Sequence, residues 1–150
     1  MNTSEIITIV IATYGALLST YTLIAQIREK SRRLKVTLSQ GFLETLGEVS
    51  DSILILECSN PGHIDITVTG HAICPPGKYQ LIFGTEHQLP HTLAPGEPLI
   101  LWFPTKEVAS SLKRRNFTGT VKIRGVIREA TGKSYRSKSL KFNVEEWLDC

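Results

Sequence analysis

The chain has 150 residues, a formal net charge of +3 and three cysteines. That length predicts one domain, and so small a net charge argues against nucleic-acid binding, as does the lack of aromatic residues interleaved with the basic ones. The cysteines, Cys58, Cys74 and Cys150, have no spacing typical of a disulfide framework, which favours a reducing compartment.

The first segment in chain order is an apolar stretch that predicts a single transmembrane helix. Residues 6–27 contain no Asp, Glu, Lys or Arg, and as a helix they span roughly 33 Å, close to the thickness of the bilayer hydrocarbon. A cleavable signal peptide fits less well, because the preceding residues carry Glu5 and no basic side chain. A core helix of a soluble domain is the other alternative, disfavoured because the remaining chain has a β-rich pattern of its own.

Basic residues follow this segment directly, and none precedes it. The positive-inside rule therefore predicts an outside N-terminus and a cytoplasmic C-terminal domain in the cell (inner) membrane. We expect the helix to continue to about residue 33, so that residues 1–33 form the anchor and its basic flank and residues 34–150 form the domain. The flank is a candidate contact for lipid headgroups or a partner, and consists of Arg28, Lys30, Arg32, Arg33 and Lys35.

One face of the predicted helix carries only small or polar residues. Small residues let transmembrane helices approach closely, and hydroxyl or amide groups can hydrogen-bond across the contact. We hypothesise a helix-packing interface, either in a homo-oligomer or against a larger membrane partner. The alternative, that small residues are simply scattered along an anchor, stays open. The face consists of Thr8, Ala12, Gly15, Ser19, Thr22 and Gln26.

From residue 34 onward, apolar and polar residues alternate between regularly spaced turn residues, which is typical of a small antiparallel sandwich. A short helix is expected after residue 104, with Thr105 as N-cap and Glu107 in its first turn. Residues 131–133 predict a compact hairpin turn. Strands are predicted at residues 34–40, 52–59, 64–69, 79–83, 99–103, 118–128 and 135–144.

Seven or so strands predict a mainly β, immunoglobulin-like antiparallel β-sandwich with one short helix. The antibody hallmarks are missing, because an antibody-type disulfide joins the second and sixth strands and only Cys58 lies on either.

Four segments of the sequence carry a resemblance to other proteins. They are the N-terminal anchor and residues 59–70, 93–97 and 128–138. Together they resemble a group of small, uncharacterised, bacterial-type membrane-anchored proteins with an immunoglobulin-like or fibronectin-like domain. The resemblance implies this architecture and supplies no activity.

Two motifs suggest ligand chemistry and fail on their context. Residues 130–134 read Ala-Thr-Gly-Lys-Ser, but Ile127 stands where a phosphate-binding loop needs glycine, and the flanks are strands. His71 and Cys74 form a close pair, whereas structural zinc normally needs two such pairs. His87 and His91 lie in a proline-containing loop. We therefore expect no metal, no cofactor, no catalytic residue and no small-molecule substrate.

Basic residues also recur on the last predicted strands. Lys122, Arg124 and Arg128 occupy even-numbered positions of the strand predicted at residues 118–128, so their side chains point to the same face. One interpretation is a solvated face whose charges protect strand edges, and this one is favoured. The other is docking onto anionic lipid or an acidic partner. Four further basic residues follow on the paired strand, namely Lys133, Arg136, Lys138 and Lys141.

These patterns favour a membrane-anchored, non-enzymatic binding or scaffold module, exposed to the cytoplasm, with the lipid bilayer and a protein partner or a second copy as its contacts. One alternative is an accessory or sensor subunit that contacts a larger membrane complex through its transmembrane helix. An extracytoplasmic adhesion-like domain would require the inverted topology. An enzyme whose site is assembled only by folding is the remaining alternative.

Overall fold

The computed structural model describes residues 2–29, 32–45, 48–85 and 88–148. In these residues the chain is mainly β, with two antiparallel sheets and two helices. The elements, in chain order, are α1 (Thr3–Glu29), β1 (Lys35–Thr45), β2 (Glu48–Ser59), β3 (Ile66–Cys74), β4 (His91–Leu93), β5 (Pro98–Pro104), α2 (Thr105–Lys113), β6 (Thr120–Glu129), β7 (Ser134–Arg136) and β8 (Leu140–Asn143). Lys30, His87 and Cys150, named above, lie outside the described residues.

Helix α1 is long and apolar enough, by its length and composition, to cross a membrane over Thr3–Arg28. None of its apolar window is buried against the rest of the chain, so α1 is no part of the core. The helix ends at Glu29, and the expectation that it continues to about residue 33 was wrong. The physical reason is that Arg32 turns onto the β-domain and bonds Glu129 there.

The first sheet, called sheet A, has the strand order β1-β2-β5 and is antiparallel throughout. Its strands alternate as half-buried strands should, because successive side chains point to opposite faces. On β5, Leu99, Leu101 and Phe103 are buried, while Ile100 and Trp102 are exposed on the outer face.

The second sheet, called sheet B, has the order β4-β3-β6, and both β7 and β8 pair with β6. The single strand predicted at residues 135–144 is therefore two short strands. Ser137 causes the break, because its hydroxyl accepts the Gly125 N–H at 2.9 Å in place of a regular ladder bond. The predicted turn between β6 and β7 is confirmed, with Gly132 at φ 87° and its N–H donated to the Glu129 carbonyl at 2.9 Å.

The two sheets share one hydrophobic core. Leu56 of β2 is fully buried, and its side chain fills the space that a side chain at Gly125 of β6 would need. A glycine is therefore required at this point of contact between the sheets. This contact fixes which face of β6 points inward, and so which face is left for solvent.

Three finer expectations were wrong. Residues 79–83 form no strand, and Leu81 makes a single bridge to Ile73. The loop predicted between residues 84 and 98 contains the short strand β4. Pro104 holds the N-cap position of α2, because the Thr105 hydroxyl is directed to the Ser52 Oγ at 3.1 Å.

Candidate functional site

The outer face of sheet B carries five cationic side chains from three strands. Opposed residues of an antiparallel pair point to the same face. The register places Lys122 opposite Lys141, Arg124 opposite Cys74 and Val126 opposite Arg136. We call this set the basic face, and it consists of Lys122, Arg124, Arg128, Arg136 and Lys141, all exposed.

A cavity of about 590 Å³ opens on the basic face, where residues 75–80 fold back over the sheet after β3. Lys78, from the folded-back segment, brings a fourth cation to this cavity and makes six with the five of the basic face. Apolar surface comes from prolines, a tyrosine ring and a valine. The lining residues are Cys74, Pro75, Pro76, Gly77, Lys78, Tyr79, Gln80, Lys122, Arg124, Val126 and Arg136.

These six cations have no carboxylate partner among residues 2–29, 32–45, 48–85 and 88–148. They are six of the 17 Lys and Arg residues in a chain whose net charge is only +3, so positive charge is concentrated here. Like charges placed directly opposite, as Lys122 and Lys141 are, destabilise a strand pair. An anion bound on this face would remove that repulsion.

The segment over the cavity is held at two points. The Arg128 guanidinium donates to the Gln80 side-chain carbonyl, which ties the segment to the sheet. The Tyr79 ring lies under the Arg115 guanidinium, 5.4 Å from its centroid, and meets the Phe117 ring edge to face at 6.0 Å. The cavity wall is therefore fixed by contacts on both sides.

The two described thiols are poor nucleophiles. Burial raises the pKa of Cys74, and the charges of Arg136 and Arg128 only partly oppose that effect. Burial likewise raises the pKa of Cys58 to about 11. Because the thiolate is the reactive form, neither thiol is activated near neutral pH.

The basic flank after α1 is divided by an ion pair. Arg32 Nη1 lies 2.8 Å from Glu129 Oε1, and the Glu129 side chain is only 1% exposed. The Tyr135 hydroxyl lies 3.1 Å from Glu129 Oε2 and 3.2 Å from the Arg32 carbonyl, so its proton is shared between two acceptors. Burial, followed by the hydrogen bond and charge of Glu129, raises the pKa of Tyr135 to about 12. We call these three residues the latch.

The latch separates the predicted contact residues into two groups. Lys122 lies seven residues before Glu129 on β6, and at about 3.3 Å per residue the two are roughly 23 Å apart along the strand. Arg28, Arg33 and Lys35 are exposed, and Arg32 is bonded within the latch. Lys122 and Arg124 belong to the far half of the basic face, so the structure does not join them with the flank.

The predicted helix-packing stripe lies wholly on the exposed surface of α1. The hydroxyls of Thr8 and Thr22 donate to carbonyls one turn back, to Ser4 and Leu18, at 2.9 Å each. These hydroxyls are thus satisfied within the helix and need no partner helix. The stripe offers a neighbouring helix a row of small side chains that permits close approach, above all at Gly15.

The close pair His71 and Cys74 cannot share a metal ion. The register places His71 opposite Ile127 on the inner face and Cys74 opposite Arg124 on the outer face. His71 stacks on Phe103, with ring centroids 5.3 Å apart, and its Nε2 bonds the Phe83 carbonyl at 2.9 Å. It is a core residue.

Lys78 and the cavity were not predicted from the sequence. The available signal was the turn sequence after Cys74, Pro75-Pro76-Gly77, in which Gly77 has φ 100°. A reversal there returns the chain alongside β3, as the bridge between Leu81 and Ile73 shows, and brings Gln80 to Arg128 on the outer face of β6. Alternation along single strands does not reveal such a covering segment.

Comparisons with known proteins identify no family. No protein-family model matches the chain, and no curated protein matches it significantly. Among solved structures, it is similar to a Bordetella pertussis protein provisionally named ApaA, with 15% identity, a TM-score of 0.36 and coverage of 75% of this chain and 93% of the other. It is also similar to structural genomics target SoR45, with 12% identity, a TM-score of 0.36 and coverage of 76% and 86%.

Proposed function

We propose that this chain is a membrane-anchored, non-enzymatic binding module that presents the basic face of sheet B to an acidic protein partner. The observation that carries the proposal is the concentration of uncompensated positive charge on one sheet face, across three strands and the cavity beside them. Complementary charge steers association and selects among partners.

The anchor follows from α1. A long helix of predominantly apolar composition that buries nothing against its own domain is stable where water is excluded, and a bilayer supplies that environment. The basic residues after the helix favour a cytoplasmic domain. Two antiparallel sheets over a shared core support an immunoglobulin-like or fibronectin-like sandwich, as in the small membrane-anchored proteins that the sequence resembles.

A protein partner suits the basic face better than the headgroups beside the anchor do. Arg32 is three residues past the end of α1, so the latch lies within about 11 Å of that end. Lys122 is roughly 23 Å from the latch along β6, whereas the field of charged headgroups decays over about 8 Å at physiological salt. We propose that β6 runs away from the bilayer, which leaves the far half of the face to a partner that approaches from the solvent.

The test uses full-length protein in nanodiscs of neutral lipid and a fluorescent polyglutamate peptide. We expect Lys122→Glu with Lys141→Glu to raise the peptide's Kd about tenfold or more, a loss of about 1.4 kcal/mol or more, because attraction becomes repulsion. The matched control is Lys113→Glu, an exposed charge reversal at the end of α2, for which we expect a change below about twofold.

An equal loss in the control would mean that net charge alone governs binding and would refute a role for the basic face. Repeating the titration in nanodiscs with anionic lipid tests the membrane alternative. If anionic lipid abolishes peptide binding to the wild-type protein, the headgroups occupy the face and the proposed protein partner is wrong.

The alternative function is an accessory or sensor subunit that packs through α1 against a larger membrane complex. It draws on the complete exposure of the stripe around Gly15 and Ser19. Gly15→Leu with Ser19→Leu would disrupt such a contact while leaving the basic face intact. An extracytoplasmic adhesion-like role remains the alternative for the inverted topology.

A further inference from the structure

We infer that the cavity beside Cys74 binds the phosphoryl group of an organic phosphate ester. The inference rests on the proposed function and deepens it, because the cavity is the one part of the basic face where the cations surround a volume. A flat patch of lysines attracts any anion. A cavity with fixed walls selects by charge, shape and size.

The charge of the site suits a phosphoryl dianion. Arg124 on β6 and Arg136 on β7 each bring a guanidinium fork, which matches the oxygens of a phosphoryl group and can bond two of them at once. Lys122 and Lys78 add two ammonium groups, and no Asp or Glu lines the cavity. A phosphate monoester carries close to two charges near neutral pH, so it gains more from four cations than a single carboxylate does.

The size and apolar lining of the site suit an ester rather than free phosphate. A volume of about 590 Å³ falls in the range of small-molecule sites, about 300–1,000 Å³, and leaves room for an organic group. Tyr79, Pro76 and Val126 offer that group apolar surface. The contact of Arg115 with the Tyr79 ring and the bond from Arg128 to Gln80 hold this wall in place.

Two sources can supply this chemistry, a free metabolite ester or a phosphorylated side chain of the acidic partner. Phenyl phosphate represents the first, and a phosphoserine peptide with its unphosphorylated form represents the second. Calorimetric titration of each into full-length protein in a non-ionic detergent separates them. Binding of phenyl phosphate alone assigns the cavity to a free ester. Tighter binding of the phosphopeptide than of either other probe assigns it to a modified partner.

The variants test the cavity itself. We expect Arg124→Gln and Arg136→Gln each to weaken phosphate-ester binding about tenfold or more, the scale of one charge-assisted hydrogen bond. Lys113→Gln is the matched control, since it removes an exposed charge at the end of α2, outside both the cavity and the basic face, and we expect less than about a twofold effect. Bound ester should also slow alkylation of Cys74, read by mass spectrometry, while leaving the buried Cys58 unchanged.

The outcomes separate this inference from the proposed function. If polyglutamate binds and neither phosphate ester does at millimolar concentration, the phosphoryl site is wrong and the binding module stands. If Lys113→Gln weakens ester binding as much as Arg124→Gln does, the attraction is diffuse and the cavity is not a site. If neither polyglutamate nor ester binds, both proposals fail.

Discussion

His71 places an ionisable ring inside the core, with one nitrogen bonded to the Phe83 carbonyl. Its Nδ1 is buried and has no hydrogen-bond partner among the described residues. Burial lowers the pKa of His71, and the carbonyl of Phe83 only partly opposes that effect. The folded state therefore favours the neutral form of the ring over the protonated, charged form.

This residue predicts how stability depends on pH. Because the folded-state pKa of His71 lies below the usual 6.5, the unfolded state binds more protons at mildly acidic pH. The contribution to stability is therefore complete above pH 6.5. It is lost progressively as the pH falls from 6.5 towards the folded-state pKa. His71→Gln keeps a donor for Phe83 and should flatten the dependence. Thermal unfolding of full-length protein in detergent between pH 7.5 and 5, followed by tryptophan fluorescence, measures it. His63→Gln, at an exposed position, is the control, and an unaltered slope in His71→Gln would contradict the assignment.

Single residues also show where prediction from sequence stops. Thr105 stands where an N-cap is common, yet its hydroxyl bonds Ser52, a residue 53 positions earlier. Capping preference is a local property, and a partner from a distant strand overrides it. The inward direction of the His71 side chain could have been predicted only from its pairing with Ile127. The shift in register between residues 68 and 70 changes which positions of β3 point inward, and the sequence pattern does not reveal that shift.

Among the elements, the latch connects the segment after α1 to β6 and β7. Glu129 is almost wholly buried, and Arg32 is its cationic partner. Removing one member of such a pair leaves a buried charge uncompensated, which costs more than the pair contributes.

We therefore expect Arg32→Ala to lower the free energy of unfolding by about 1–3 kcal/mol, less than for a fully buried pair because the Arg32 side chain is 44% exposed. Chemical denaturation in detergent measures the change. Lys35→Ala, an exposed charge deletion at the start of β1, should change it by less than about 0.5 kcal/mol. Glu129→Gln in the Arg32→Ala background should restore much of the loss, and additive effects of the two changes would show that no pair exists.

The elements that the sequence predicts well are those with clear alternation and long pairing. The strands β2, β5 and β6 were located within a few residues, since β2 and β5 are apolar runs and β6 alternates between basic and apolar residues. Strand β4 was missed because three residues carry too little pattern. The division of β7 from β8 depends on the bond between Ser137 and Gly125, which no local pattern encodes.

At the scale of the whole molecule, the expected arrangement is a cytoplasmic domain carried by α1. The basic flank predicts it, and topology labelling tests it. In intact cells, we expect an impermeant maleimide to label Cys150 only after permeabilisation and to label Glu5→Cys without it. The reverse pattern would place the domain outside the cell and favour the adhesion-like alternative.

The basic face was only partly predictable at this scale. The sequence alone predicted that Lys122, Arg124 and Arg128 point to the same face of one strand. The positions of Arg136 and Lys141 beside them depend on pairing register, and Lys78 depends on a chain reversal. A strand pattern predicts which side a residue faces, but it does not predict which other strands supply its neighbours.

The Arg32–Glu129 bond gives one arginine different tasks at successive stages of biogenesis. In the proposed topology, β6 has not yet been synthesised while the nascent chain is inserting, so we expect Arg32 to act as a free cation that helps to retain the flank in the cytoplasm. Once the domain has folded, Glu129 neutralises that charge, and in the proposed topology we expect headgroup attraction to fall by about 1 kcal/mol, the contribution of one basic residue. We therefore expect the replacement of Arg32 to combine an insertion defect with a folding defect.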